Sequence, residues 1–160
     1  ALQIHGVEEL FLRFPFLDGA REFGPKDPAV YNKINFLFNS EKFLKRIESL
    51  TGVLADFALS RIYVTDPSCS PLPWHDDSYS EYSPMIALRI ELSREHYIGG
   101  NFYFKHGQNI HEIKNLNFGD GVLFKIVSKK YFHRVDPVMQ GVRRSILIFF
   151  SRKIPADETY

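Results

Sequence analysis

"GVRRSILIFFS", residues 141–151, reads with a period of two. Arg143, Ser145, Leu147 and Phe149 share one face, and Val142, Arg144, Ile146, Ile148 and Phe150 share the other. Both faces are mainly apolar, so this is a strand covered on both sides, with one arginine at its start drawn inward. Working outward, "ALSRIYVTD", "PMIALRIELS", "GGNFYFKH", "IHEIKN", "GVLFKIV" and "HRVDPV" are further short runs rich in β-branched and aromatic residues. The connectors between them are too short for crossover helices, which predicts antiparallel pairing. About eight such strands behind a helical N-terminal layer predict a mainly β, α+β chain whose core is a cupin-like jelly roll, or double-stranded β-helix. A plain sandwich fits the same pattern.

Upstream, "NSEKFLKRIESLTG" is the clearest helix. Ser40 is placed as its N-cap, Phe43, Leu44, Ile47 and Leu50 recur at helical spacing, and Gly52 follows as a stop. Gly19, Gly24, Pro25 and Pro28 punctuate the first forty residues, which read as short helices or turns, with "GVEELFLRF" helical. The expected organisation is one domain: helical layer 1–56, jelly-roll core 57–152 and tail 153–160. A chain of 160 residues suffices for a substantial core. A formal net charge of +1 gives no overall field towards nucleic acid or an anionic membrane. No apolar run is long enough to span a bilayer. Cys69 is the single cysteine, so no internal disulfide forms and a reducing, cytoplasmic setting is the expectation.

The chemistry-bearing candidates begin at "PWHDDSY", residues 73–79. In an extended segment, His75 and Asp77 project together while Asp76 points away. An imidazole and a carboxylate on one face are two ligands suited to a divalent first-row metal, and a second histidine would complete a facial triad. On its own, His-x-Asp occurs by chance in many proteins. His5, His96, His106 and His111 lie in the N-terminal layer or in polar, turn-like stretches. His133, in "YFHRVDPV", stands at the start of a strand. Arg143, drawn inward, needs an anion: either a structural Asp or Glu, or a ligand carboxylate gripped in two-point contact, with Ser145 adding a hydroxyl on the same face. Arg89 shares a face with Glu91, and either pairs with it or meets a ligand.

"WHDD", "GGNFYF", "FGDGVLFK" and "HRVDPVMQGVRRSILIFF" together resemble the iron(II)- and 2-oxoglutarate-dependent dioxygenases, specifically the prolyl 4-hydroxylase-like group, over residues 57–152. The resemblance implies that His75, Asp77 and His133 bind Fe(II). It implies that Arg143 holds the distal carboxylate of 2-oxoglutarate, with Ser145 in support and Tyr63 lining the same pocket. The implied reaction consumes O2 and converts 2-oxoglutarate to succinate and carbon dioxide while hydroxylating a substrate C–H bond, with ascorbate as an accompanying reductant. An intact Asp77 argues against the halogenases among these relatives, which replace the carboxylate. Relatives that demethylate nucleic acid carry a second arginine six positions after the first, where this chain has Phe149. A non-catalytic cupin-like binding module is the rival from another class. The expected substrate is an amino acid, a peptide or protein side chain, or a small metabolite, with neither nucleic acid nor a membrane as partner; no motif sets the oligomeric state.

Overall fold

The 141–151 segment forms the longest ladder in the molecule. In the computed structural model, which describes residues 11–14, 21–25, 28–77, 85–114, 116–126 and 130–152, strand β12 (Arg143–Ser151) pairs antiparallel with β3 (Phe57–Thr65) along its whole length. Its other edge pairs with β5 (Ile86–Glu91). Strands β1 (Phe11–Phe14), β2 (Arg21–Pro25) and β9 (Gly121–Lys125) complete a six-stranded sheet of order β1-β2-β3-β12-β5-β9. Facing it is a four-stranded sheet of order β4-β10-β7-β8, built from β4 (Leu72–His75), β7 (Phe102–His106), β8 (Asn109–Ile113) and β10 (Tyr131–Val135). A short pair, β6 (Ile98–Gly99) with β11 (Val138–Gln140), closes one end. From β3 onward the chain passes repeatedly between the two main sheets, and every pairing is antiparallel. This is the jelly roll.

Two apolar cores account for the two covered faces of β12. Ile146, Ile148 and Phe150 point to one, where Ile34, Phe38 and Ile47 come from helices α1 (Pro28–Phe38) and α2 (Glu41–Thr51). Phe149 points to the other, between the sheets, with Ala87, Phe102, Phe124 and Ile126. Ile148 and Phe150 are wholly buried, each stabilising the fold by about 1.5–3 kcal/mol. Asn39, between the helices, ties them to the larger sheet: its Nδ2 donates to the Ala58 carbonyl and its Oδ1 accepts from the Ala58 amide.

The N-terminal layer differs from the expectation. Residues 11–14 and 21–25 are strands that extend the large sheet beyond β3, so "FLRF" at the end of the expected helix is extended. An apolar-polar-apolar stretch of four fits either period, and sheet pairing decides it. Helix α2 ends on Gly52 in the left-handed conformation, its amide donating to Glu48. Ser40 occupies the N-cap position, but its hydroxyl donates back to Leu37 rather than capping. Leu50, assigned to the apolar stripe, is 57% exposed, and the stripe is carried by Phe43, Leu44 and Ile47. His5, Gly19, the 78–84 loop and the 153–160 tail lie outside the described residues. Among the described residues, no helix is long and apolar enough to cross a membrane.

Candidate metal centre and anion pocket

The smaller sheet gathers the first group. His133 on β10 lies opposite both His75 on β4 and Phe104 on β7, so the two imidazoles share the inner face. Their ring centroids are 4.0 Å apart. Asp77 reaches them by a different route from the one its spacing suggested. Strand β4 stops at His75, and Asp77 takes a left-handed backbone conformation, φ 46°, which aspartate tolerates better than most side chains. The carboxylate then lies between the rings, with Oδ1 3.6 Å from His75 Nε2 and Oδ2 3.3 Å from His133 Nε2. One donor atom from each of the three residues fits within 4.8 Å of the others.

The protonation chemistry suits metal binding. His75 Nδ1 lies 2.8 Å from the Pro73 carbonyl, which can only accept, so Nδ1 carries the proton and Nε2 presents a lone pair. Burial and then the neighbouring His133 hold the His75 pKa below the ordinary histidine range, which keeps the ring neutral. For Asp77, burial pushes upward, but the adjacent His133 and His75 outweigh it and the carboxyl titrates below its usual range. Asp77 Oδ2 is buried with no hydrogen-bond partner among the described residues. Two imidazoles, His75 held neutral, facing an ionised carboxylate with an unused oxygen form a donor set that fits a divalent first-row cation.

Phe102 connects this group to a second one. Its ring centroid is 5.7 Å from that of His133 and 5.4 Å from the Arg89 guanidinium carbon. Arg89 and Glu91 sit two apart on β5, while Arg143 and Ser145 sit two apart on β12. The register sets Ser145 opposite Glu91 and also opposite Tyr63 on β3. All of these therefore face the interior between the sheets. Arg89, Glu91, Arg143 and Ser145 are buried, whereas Arg144 faces the other way and is partly exposed. Arg89 Nη2 donates to Glu91 Oε2 at 3.0 Å, and Arg143 Nε lies 3.8 Å from the same oxygen. Burial and then the adjacent Arg89 charge pull Arg143 down to about 9, still cationic at neutral pH.

No protein-family model and no curated protein sequence matches the chain. Solved structures do. An oxidoreductase of the 2OG-Fe(II) oxygenase family from Burkholderia pseudomallei superposes with a TM-score of 0.65 at 17% identity, over 89% of this chain and 65% of that one. A prolyl-4-hydroxylase from Pseudomonas putida gives 0.67 at 14% identity, over 89% and 78%. A prolyl hydroxylase from Trichoplax adhaerens, in complex with a hypoxia inducible factor oxygen degradation domain peptide fragment, gives 0.66 at 13% identity, over 90% and 71%. The chain has the fold of the 2OG-Fe(II) oxygenases. It spans less than two thirds of the Burkholderia protein's length.

Other residues find their place on this oxygenase fold. Gly99 and Gly100, the Gly-Gly of "GGNFYF", adopt positive φ; a Cβ at Gly99 would collide with the Pro137 carbonyl, and one at Gly100 would lie 3.0 Å from Arg143 Cδ. The pair therefore lets the β6–β7 turn pack against the start of β12. Asp76, which points away from the metal donors, is buried. Trp74 lies under the Arg134 guanidinium, 5.2 Å from its carbon, away from the neighbouring His75. His96, His106 and His111 are exposed. Cys69 belongs to a turn held by Asp66. Two contributors were missed in the sequence: Tyr97 and Ser93, both bonded to Glu91. Tyr97 stands just ahead of the Gly-Gly pair, a proximity that carries little signal without the pairing register.

Proposed function

We propose that the chain is an Fe(II)- and 2-oxoglutarate-dependent oxygenase that hydroxylates a C–H bond of an amino acid, a peptide or protein side chain, or a small metabolite. The observation that carries this reading is the convergence of His75, Asp77 and His133 donors on one sheet, facing a sheet whose inner face carries a buried, incompletely bonded Arg143. When bound, the iron supplies the activation of dioxygen, with 2-oxoglutarate leaving as succinate and carbon dioxide.

The chain's own residues hold, orient and exclude. His75, Asp77 and His133 hold the metal, and the Pro73 carbonyl fixes the His75 ring in the tautomer that can ligate. Arg143 receives the distal carboxylate of 2-oxoglutarate, Ser145 adds a hydroxyl, and Tyr63, its neighbour across the β3–β12 ladder, lines the same wall. Phe102 and Phe124, with ring centroids 5.7 and 5.1 Å from that of His133, keep water from one side of the centre. The peptide seen with the Trichoplax hydroxylase supports a peptide among the substrate classes. A screen of amino acids and peptides for stimulated succinate release, with Fe(II) and ascorbate present, tests the reading. Release that requires Fe(II) and rises with one compound is the expected result; no Fe(II)-dependent release, with or without any compound, overturns it.

A further inference from the structure

Three buried charges lie beside the histidines, and their bonding is unequal. Glu91 is 0% exposed, and Arg89 and Arg143 are each 4% exposed. Glu91 Oε1 accepts from the Ser93 amide and hydroxyl. Its Oε2 accepts from Arg89 Nη2 at 3.0 Å and from the Tyr97 hydroxyl at 3.1 Å. A carboxylate offers about four lone-pair sites, so this one is filled. Arg143 Nε, 3.8 Å from Oε2, is beyond hydrogen-bond reach and, like Arg89 Nε, has no hydrogen-bond partner among the described residues. Two guanidiniums face one carboxylate, and one positive charge is left over in the interior.

We propose that Glu91 determines the specificity of this pocket. It engages Arg89 closely, leaves Arg143 the less firmly paired of the two cations and the pair with one net positive charge, and so matches the pocket to a ligand ending in one carboxylate while excluding doubly charged ends. The inference rests on the oxygenase reading, in which that ligand is 2-oxoglutarate. The lowered pKa of Arg143, caused by burial and then by Arg89, is what two crowded cations produce, and it favours entry of an anion. Ser145, opposite Glu91 in the ladder, offers a hydroxyl to the same anion. Phe102 lies against both Arg89 and His133, which sets the charged cluster next to the metal donors.

Calorimetric titration of the Ni(II)-loaded protein tests this, using 2-oxoglutarate and its analogue with a terminal phosphonate in place of the distal carboxylate. The wild type is expected to bind the first and reject the second. Glu91→Gln keeps the shape but raises the net charge of the pocket by one. It should bind 2-oxoglutarate at least about tenfold more tightly and should admit the phosphonate. Adding Arg89→Met to Glu91→Gln removes the extra charge and should return 2-oxoglutarate affinity to near the wild-type value. An unchanged or weakened affinity in Glu91→Gln overturns the inference. So does a wild type that binds both ligands equally, a result that needs no variant to fold. If the wild type binds Ni(II) but neither ligand, the oxygenase reading falls with it. If 2-oxoglutarate binds and Glu91→Gln is silent, only the inference falls.

Discussion

The two facing sheets build their halves of the site by different rules. On the smaller sheet, His75 and Asp77 stay partly accessible and His133 is buried between them and the aromatic core, the three drawn together by a strand end, one left-handed residue and one cross-strand pair. On the larger sheet, Arg89, Glu91 and Arg143 are full charges removed from water, two cations grouped around one carboxylate. The first half is specified by short-range geometry and tuned by desolvation. The second depends on the registers of β3, β5 and β12, where a slip of one residue would turn every charge to the helix-covered face. The contrast suggests that substitution in the first half removes a function from a fold that survives, whereas substitution in the second disturbs both.

Asp77→Ala should show the first behaviour most strongly. Fe(II)-dependent succinate release is expected to fall to background and Ni(II) binding to weaken by more than about a hundredfold, beyond the cost of losing an outer-shell partner. Circular dichroism and thermal melting of the metal-free protein should change little, and undiminished turnover would remove Asp77 from the centre. Arg143→Ala comes next. It should weaken 2-oxoglutarate binding by about 2–5 kcal/mol in calorimetry, and it should also lower the melting temperature, because truncating a buried side chain leaves a cavity between the sheets.

A smaller effect comes from acid. His75 titrates below 6.5 in the folded chain, so the unfolded chain takes up that proton first as pH falls. The stability it contributes is complete above 6.5 and is lost as pH drops from there towards the folded value. Asp77, also depressed, keeps its contribution until pH falls below 3.8, so the two windows separate. Urea melts of the metal-free protein between about pH 7 and 5 should therefore fall more steeply in the wild type than in His75→Gln. Equal slopes would break the assignment. The smallest effect is expected for Arg144→Ala, whose side chain faces away: within about 0.5 kcal/mol in stability and no change in 2-oxoglutarate binding. If it, rather than Arg143→Ala, abolished that binding, the inward face would be misassigned by one residue.

The difference between the halves also explains what could be read in the sequence. The two-sided apolar pattern of 143–151 implies a central strand, and that strand is central. The grammar of short runs and brief connectors implies antiparallel sheets because the connectors cannot hold a crossover. His75 and Asp77 were legible through spacing, although the extended geometry first assigned to them gives way to a turn at Asp77. The strands at 11–14 and 21–25 were not legible, because four or five residues do not distinguish helix from strand before a sheet edge claims them. Nor was the filled bonding of Glu91. Tyr97 and Ser93 reach it only because the chain beyond β5 folds back over the strand end, a contact no periodicity encodes.

The proton on His75 is held by a main-chain oxygen at Pro73. Replacing the Pro73 side chain leaves that acceptor in place, so tautomer choice is insulated from ordinary substitution there. Altering it requires moving the backbone of β4 itself, which its pairing with β10 resists.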